Sequence, residues 1–202
     1  MRSLSRTGLA AAALVSGSLP AFAHAPIKGI GTFYNGVLHP VLVPGHLLLL
    51  LATGFFLGQF APRSSRTALP VFALALAAGL AVSAFEAPAL PSWMVSGLAL
   101  LAGLLVALRF EPFSALAIWL ALVAGLLVGL DSVPDAGEGD RAWLALSGTA
   151  VGGLLLVIFA GGASATFNRS WQPIAIRVLG SWVAASSLMM LTFELTARNG
   201  AA

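Results

Sequence analysis

A chain of 202 residues that is 59% hydrophobic and 8% charged has too little polar surface to remain dissolved as a globule, so it reads as an integral membrane protein. The net charge of +3 comes from scattered basic residues, and no patch among them is dense enough to neutralise a run of phosphates, which excludes a nucleic-acid partner. The absence of cysteine excludes structural disulfides, thiolate metal sites and cysteine nucleophiles together.

In chain order, residues 1–23 have the plan of a signal peptide. Arg2 and Arg6 form a basic start, an apolar core follows, and Ala21-Phe22-Ala23 is a small-x-small cleavage site that would leave His24 at the mature N-terminus. An uncleaved signal anchor is the alternative. Residues 24–202 then form one domain: six apolar segments of spanning length at 42–60, 68–86, 91–109, 112–130, 142–165 and 174–195, joined by connections too short to hold a second domain. Only helices satisfy their own backbone in lipid over such lengths, so the expected fold class is an all-α, six-helix transmembrane bundle. With the mature N-terminus outside, the inward connections carry Arg63, Arg66, Arg109, Arg169 and Arg177, while the outward side holds only Lys28, Arg141 and Arg198. The expected location is a bacterial inner membrane, of Gram-negative type, with both mature termini in the periplasm.

Polar residues collect on that outward side. His24, His39, His46, Glu86, Asp131, Asp135, Glu138, Asp140 and Glu194 all fall at or beyond the outer ends of helices, whereas Glu111 alone among the acids lies inside. Imidazoles and carboxylates are the natural ligands of a divalent cation arriving from outside; ordinary solvation of helix-end acids is the alternative. His39 and His46 are seven residues apart, about 10 Å along an unbroken helix and too far to share an ion. Pro40, Pro44 and Gly45 between them supply the means to break the helix, so regular helix is expected from about residue 44, with 31–43 folded over or into the outer leaflet. His46 in the first turn and a returning His39 are then metal-ligand candidates, because an ionisable group within the membrane boundary is costly. His24, as an N-terminal amine and imidazole, is a further chelate candidate. Asp131 or Glu86 would be the anionic ligand. Tyr34 and Asn35 are placed to support the site or to anchor the interface. Met94, Met189 and Met190 are gap-fillers or soft ligands. Gly54-x-x-x-Gly58, Gly125-x-x-x-Gly129 and Gly148-x-x-x-Gly152 are faces for close helix packing.

The stretch "FYNGVLHPVLVPGHLLLLLATG" resembles the opening of the first mature helix in the HupE/UreJ family, matching His39, Pro40 and His46 at the family's spacing. Val43 and Gly45 stand where that motif has glycine and aspartate. "LPSWMVSGLALLAGLLVAL" and "RVLGSWVAASSL" are similar to the third and last helices of the family, and Asp131 follows a glycine-rich fourth helix. The resemblance implies a nickel or cobalt permease, or an accessory protein that delivers metal to a metalloenzyme maturation partner. Nitrogen and oxygen ligands suit Ni, Co, Zn or Cu without ordering them. A non-transporting assembly or scaffold subunit for a metalloenzyme is the alternative. An enzyme is not expected, since no nucleophile-base-acid spacing or carboxylate pair is present. Retinal is excluded because the sole lysine, Lys28, lies outside the helices. No ATP-binding loop signature occurs, so any transport would draw on a gradient, the membrane potential or another subunit.

Overall fold

The computed structural model describes residues 29–63, 65–85, 90–111, 113–132, 139–167 and 169–200. Among these there are seven helices and no strand: α1 (Thr32–Leu42), α2 (Pro44–Gln59), α3 (Ser65–Ser83), α4 (Trp93–Ala107), α5 (Ser114–Leu130), α6 (Asp140–Thr166) and α7 (Gln172–Gly200). Each of the six apolar segments is a helix. The additional one is α1, in a stretch expected only to fold back over the outer leaflet.

By length and apolarity α3, α6 and α7 can each cross a bilayer, and α1 with α2 forms a fourth candidate span bent by 75°. With 15 and 17 residues, α4 and α5 are apolar but reach only about 22 and 25 Å at 1.5 Å per residue, short of a hydrocarbon core of about 30 Å. Residues 1–28, and with them the signal-peptide segment and His24, lie outside the described residues, as do Glu86, Asp135 and Glu138.

The bundle is organised around α2. Eleven of its 16 residues are buried, so it presents no polar face and makes contact with every other helix. Glycine lets the neighbours approach. A Cβ on Gly54 would sit 2.6 Å from that of Ala160, and Gly58 lies against the backbone of Gly161, so α2 and α6 meet at van der Waals distance of their main chains. Gly125 and Gly129 do the same for α5, where added Cβ atoms would fall 2.6 Å from the carbonyl oxygens of Phe72 and Leu76 on α3. Gly148 and Gly152 face Phe33 and Val37 of α1. All three small-residue motifs are therefore helix-packing faces.

The order of these contacts gives the direction of each helix. Phe72 then Leu76 meet Gly125 then Gly129, so α3 and α5 run in parallel, and Gly54 then Gly58 advance along α6 in the same sense. In contrast, Gly103 meets Ala184 and Val106 meets Gly180, so α4 and α7 are antiparallel. This alternation brings the start of α2, the ends of α3 and α5, the start of α4 and the end of α7 to one end of the bundle. Hydrogen bonds join them there: Ser83 on α3 to the carbonyl of Ser132 after α5, and Ser96 on α4 to Glu194 on α7. At the other end Gln59 donates to the carbonyl of Val106, and Arg177 to that of Ala107.

Helix α1 persists despite an internal proline because its neighbour repairs the defect. Pro40 has no N–H to offer the carbonyl of Gly36, one turn back. The Thr149 hydroxyl of α6 reaches that oxygen at 3.3 Å, sharing its proton with the Ala145 carbonyl at 3.2 Å. Thr149→Val is accordingly expected to leave the Gly36 carbonyl without a side-chain donor and to destabilise the docked α1 by about 1 kcal/mol. Comparison of wild type and variant by unfolding in mixed micelles checks this, an unchanged midpoint being the contrary result.

Candidate metal site at the helix break

The break between α1 and α2 is made by one residue. Val43 has φ −91° and ψ 107°, extended backbone between two helices, and the reason is local: a residue that precedes proline is sterically pushed out of the helical region. Pro44 then opens α2 at a position where its missing N–H costs nothing. Gly45, expected to share in the break, is instead a buried residue of the first turn. Its value is its size, since a Cβ there would lie 3.3 Å from Val95 Cγ1 and 3.8 Å from Met190 Cε.

The bend folds His39 back over the first turn of α2. The rings of His39 and His46 lie with centroids 5.5 Å apart and planes at 63°, in place of the separation of about 10 Å along a straight helix. His46 is 1% exposed, which for an imidazole at the mouth of an apolar bundle requires a polar partner. That partner is Asp131: His46 Nε2 and Asp131 Oδ2 are 2.9 Å apart, joining residues 85 positions distant in the chain. Asp131 caps the end of α5 and is 29% exposed, so the pair spans the boundary between bundle interior and surface. Next to it the Ser132 hydroxyl bonds back to the carbonyl of Val128 at 2.6 Å, and Ser83 donates to Leu80 at 2.9 Å and toward Ser132 at 3.3 Å. These bonds fix the chain exit from α5 and therefore the carboxylate.

Electrostatically, Asp131 is badly placed for stability alone. Its negative charge adjoins the negative end of the α5 dipole, an arrangement that costs a fraction of a kcal/mol to about 1 kcal/mol unless a cation or strong donor compensates. In the tautomer whose Nε2–H donates to Asp131 the ring lone pair lies on Nδ1, and Nδ1 of His46 is buried with no hydrogen-bond partner among the described residues. A carboxylate on one ring nitrogen and a vacant lone pair on the other is the arrangement of an oriented metal-ligating histidine. The sequence pointed to Asp131 as a direct ligand; the structure shows it bonded to Nε2 of His46.

Two other candidates, Glu86 and His24, lie outside the described residues. Among the described residues no group of three or more His, Asp or Glu side chains stands close enough to hold an ion; the described candidates are the adjacent imidazoles of His39 and His46, with Asp131 bonded to the second. Tyr34 is 63% exposed and packs edge-on against Phe33 at 5.6 Å; the Asn35 side chain bonds to the Gly31 carbonyl at the start of α1. Met189 is 60% exposed on the outside of α7, while Met190 turns inward to Gly45. Sequence reasoning missed Ser96. It lies in an apolar run on α4, is 1% exposed and donates to Glu194 Oε1 at 3.1 Å. The only signal for it was a lone hydroxyl in an apolar run, at the same end of the bundle as an acid three helices later in the chain.

A family model described as HupE / UreJ protein matches residues 12–190. The chain belongs to the HupE/UreJ family. Membership places it with the membrane accessory proteins of hydrogenase and urease, a family linked to nickel and cobalt handling. No curated protein and no solved structure matches it. The match includes α1 to α6 and most of α7, and so contains the helix break, both described histidines and Asp131 of this HupE/UreJ protein.

Proposed function

We propose that this HupE/UreJ protein admits a divalent late-transition-metal cation, of the nickel or cobalt class, at the outward end of a six-span bundle and passes it inward or to a metalloenzyme maturation partner. The observation that carries the proposal is the buried His46, held by Asp131 at 2.9 Å with His39 against it at the helix break. The ion is cargo. Closed four-ligand shells retain a metal, whereas a few nitrogen and oxygen donors with open positions accept and release one. His46 Nδ1 would be the first protein donor, His39 the second, and water or a further carboxylate such as Glu86 would complete the shell.

In this topology α2 to α7 are the six spans and α1 lies in the outer leaflet along α6. The parallel and antiparallel relations of the helices support the alternation, and the short α4 and α5 fit a bilayer that is locally thinned around them. A leader removed after Ala23 would place the mature N-terminus in the periplasm. A reporter fused after Arg66 or Arg169 is then expected to be active only in the cytoplasm, and one at Ala202 only in the periplasm; a cytoplasmic C-terminus overturns the six-span topology. Metal content of the protein purified in mild detergent, followed by Ni(II) or Co(II) titration, tests the function itself. A protein that binds neither metal above a His39→Ala, His46→Ala control is a scaffold instead.

A further inference from the structure

A second group at the same end of the bundle has no part in the histidine site. Glu194 lies in the last turns of the α7 span, beyond the residues that the family model matches. Its Oε1 accepts one hydrogen bond, from the Ser96 hydroxyl at 3.1 Å, and its Oε2 is buried with no hydrogen-bond partner among the described residues. A buried carboxylate normally acquires two or three donors or a paired cation, because desolvation penalises the bare charge heavily. Among the described residues the one ion pair in the molecule is His46 with Asp131, so Glu194 has none.

The helices around it offer little that could neutralise it. The partner helix α4 has no titratable residue along its whole length, and α2 contributes only His46, which is committed to Asp131. On α7 itself the basic residues are Arg177, which bonds to Ala107 at the opposite end of the bundle, and the exposed Arg198. Below Glu194 on the same helical face, at spacings of four and three residues, come Met190 and Ser187. The methyl end of Met190 reaches toward Gly45, and the hydroxyl of Ser187, 0% exposed, is also without a hydrogen-bond partner among the described residues. Elsewhere on α7 the hydroxyls of Ser181, Thr192 and Thr196 bond back to carbonyls of their own helix. Carboxylate, thioether and hydroxyl thus follow one another down one face of α7, half-buried at Glu194 and Met190 and buried at Ser187, beside the first turn of α2.

We propose that Glu194 with Ser96 forms a second cation-binding locus, separate from the His46 pair, that takes a divalent late-transition-metal ion through the free carboxylate oxygen. An oxygen-rich locus with a thioether below it suits a borderline cation in weak, exchangeable binding. The Ser96 bond fixes the carboxylate and leaves the second oxygen facing the ion.

Co(II) titration of the purified full-length protein by calorimetry, for wild type, His46→Ala, Glu194→Gln, Glu194→Asp and Ser96→Ala, tests the proposal. Wild type is expected to show two classes of site. Glu194→Gln, isosteric and uncharged, should lose the weaker class and keep the His46-dependent one, and Ser96→Ala should weaken the same class about tenfold, as loss of a supporting hydrogen bond does at other metal ligands. A Glu194→Gln titration that superimposes on wild type overturns the proposal, as does loss of all Co(II) binding in His46→Ala. Retention of a Glu194-dependent class when His46→Ala changes nothing else would uphold this locus and remove the histidine site instead. If the glutamine variant does not fold, Glu194→Asp keeps the charge and withdraws it by one methylene: weakened binding at an unchanged melting temperature supports the locus, and unchanged affinity overturns it.

Discussion

His46→Ala is expected to lower Ni(II) or Co(II) affinity at the tight site by about a hundredfold or more, and Asp131→Asn by about ten- to a hundredfold, the range found when the group orienting a metal-bound histidine is removed. The two losses have different causes and can be told apart. Alanine at 46 removes the donor atom. Asparagine at 131 preserves shape and can still accept a hydrogen bond from Nε2–H, but it offers no charge to raise the basicity of the ring. If Asp131 orients His46, the metal-nitrogen signature in X-ray absorption should survive Asp131→Asn, with the number of nitrogen donors unchanged. If Asp131 is itself a ligand, one oxygen scatterer should disappear from the first shell. Asp131→Ala should be worse than Asp131→Asn for stability as well, because the buried imidazole N–H then loses its acceptor, at a cost of about 1 to 3 kcal/mol. Equal affinity in wild type and His46→Ala would remove the histidine site from this protein.

That pairing was only partly legible in the sequence. The six apolar segments announced themselves because lipid imposes a simple rule on composition, and each of them is a helix. The break was legible too, since proline restricts the residue before it, although the responsible residue is Val43 and Gly45 takes no part in it. Helix α1 was not. "TFYNGVLHPVL" contains a glycine and a proline, and its helical state is decided by α6, where Gly148 and Gly152 admit it and Thr149 repairs the bond that Pro40 omits. Such a decision is tertiary and leaves no periodic trace in eleven residues. Asp131 was legible as an acid at the right depth; its bond to His46 was not, because it joins positions 85 apart in the chain. The bond between Ser96 and Glu194 spans 98 positions and joins an isolated serine in an apolar run to an acid near the chain end, a combination with no local signature.

Because α6 holds α1 in place, the second large effect is expected at a distance from any ligand. Gly148→Leu should undock α1: a side chain there drives into the backbone at Phe33, with Val37 N only 2.9 Å from the position of the new Cβ. Backbone atoms cannot turn aside as a flexible side chain can, so relief requires movement of the whole helix, and the overpacking cost of about 1 to 3 kcal/mol is a lower estimate. His39 travels with α1. His46 does not, because α2 is held independently by Gly54 and Gly58 against α6 and by Val95 and Met190 at its first turn. The variant should therefore keep the His46–Asp131 pair, lose the contribution of His39 and bind Co(II) about tenfold or more weakly with one fewer nitrogen donor, as is expected of His39→Ala. Adding His39→Ala to Gly148→Leu should then change nothing further, since both remove the same donor. Additive losses in the double variant would mean that α1 stays docked and that Gly148 acts by another route. An affinity untouched by Gly148→Leu, with a spin-label distance from α1 to α6 increased by several ångströms, would leave His46 as the sole imidazole of the site.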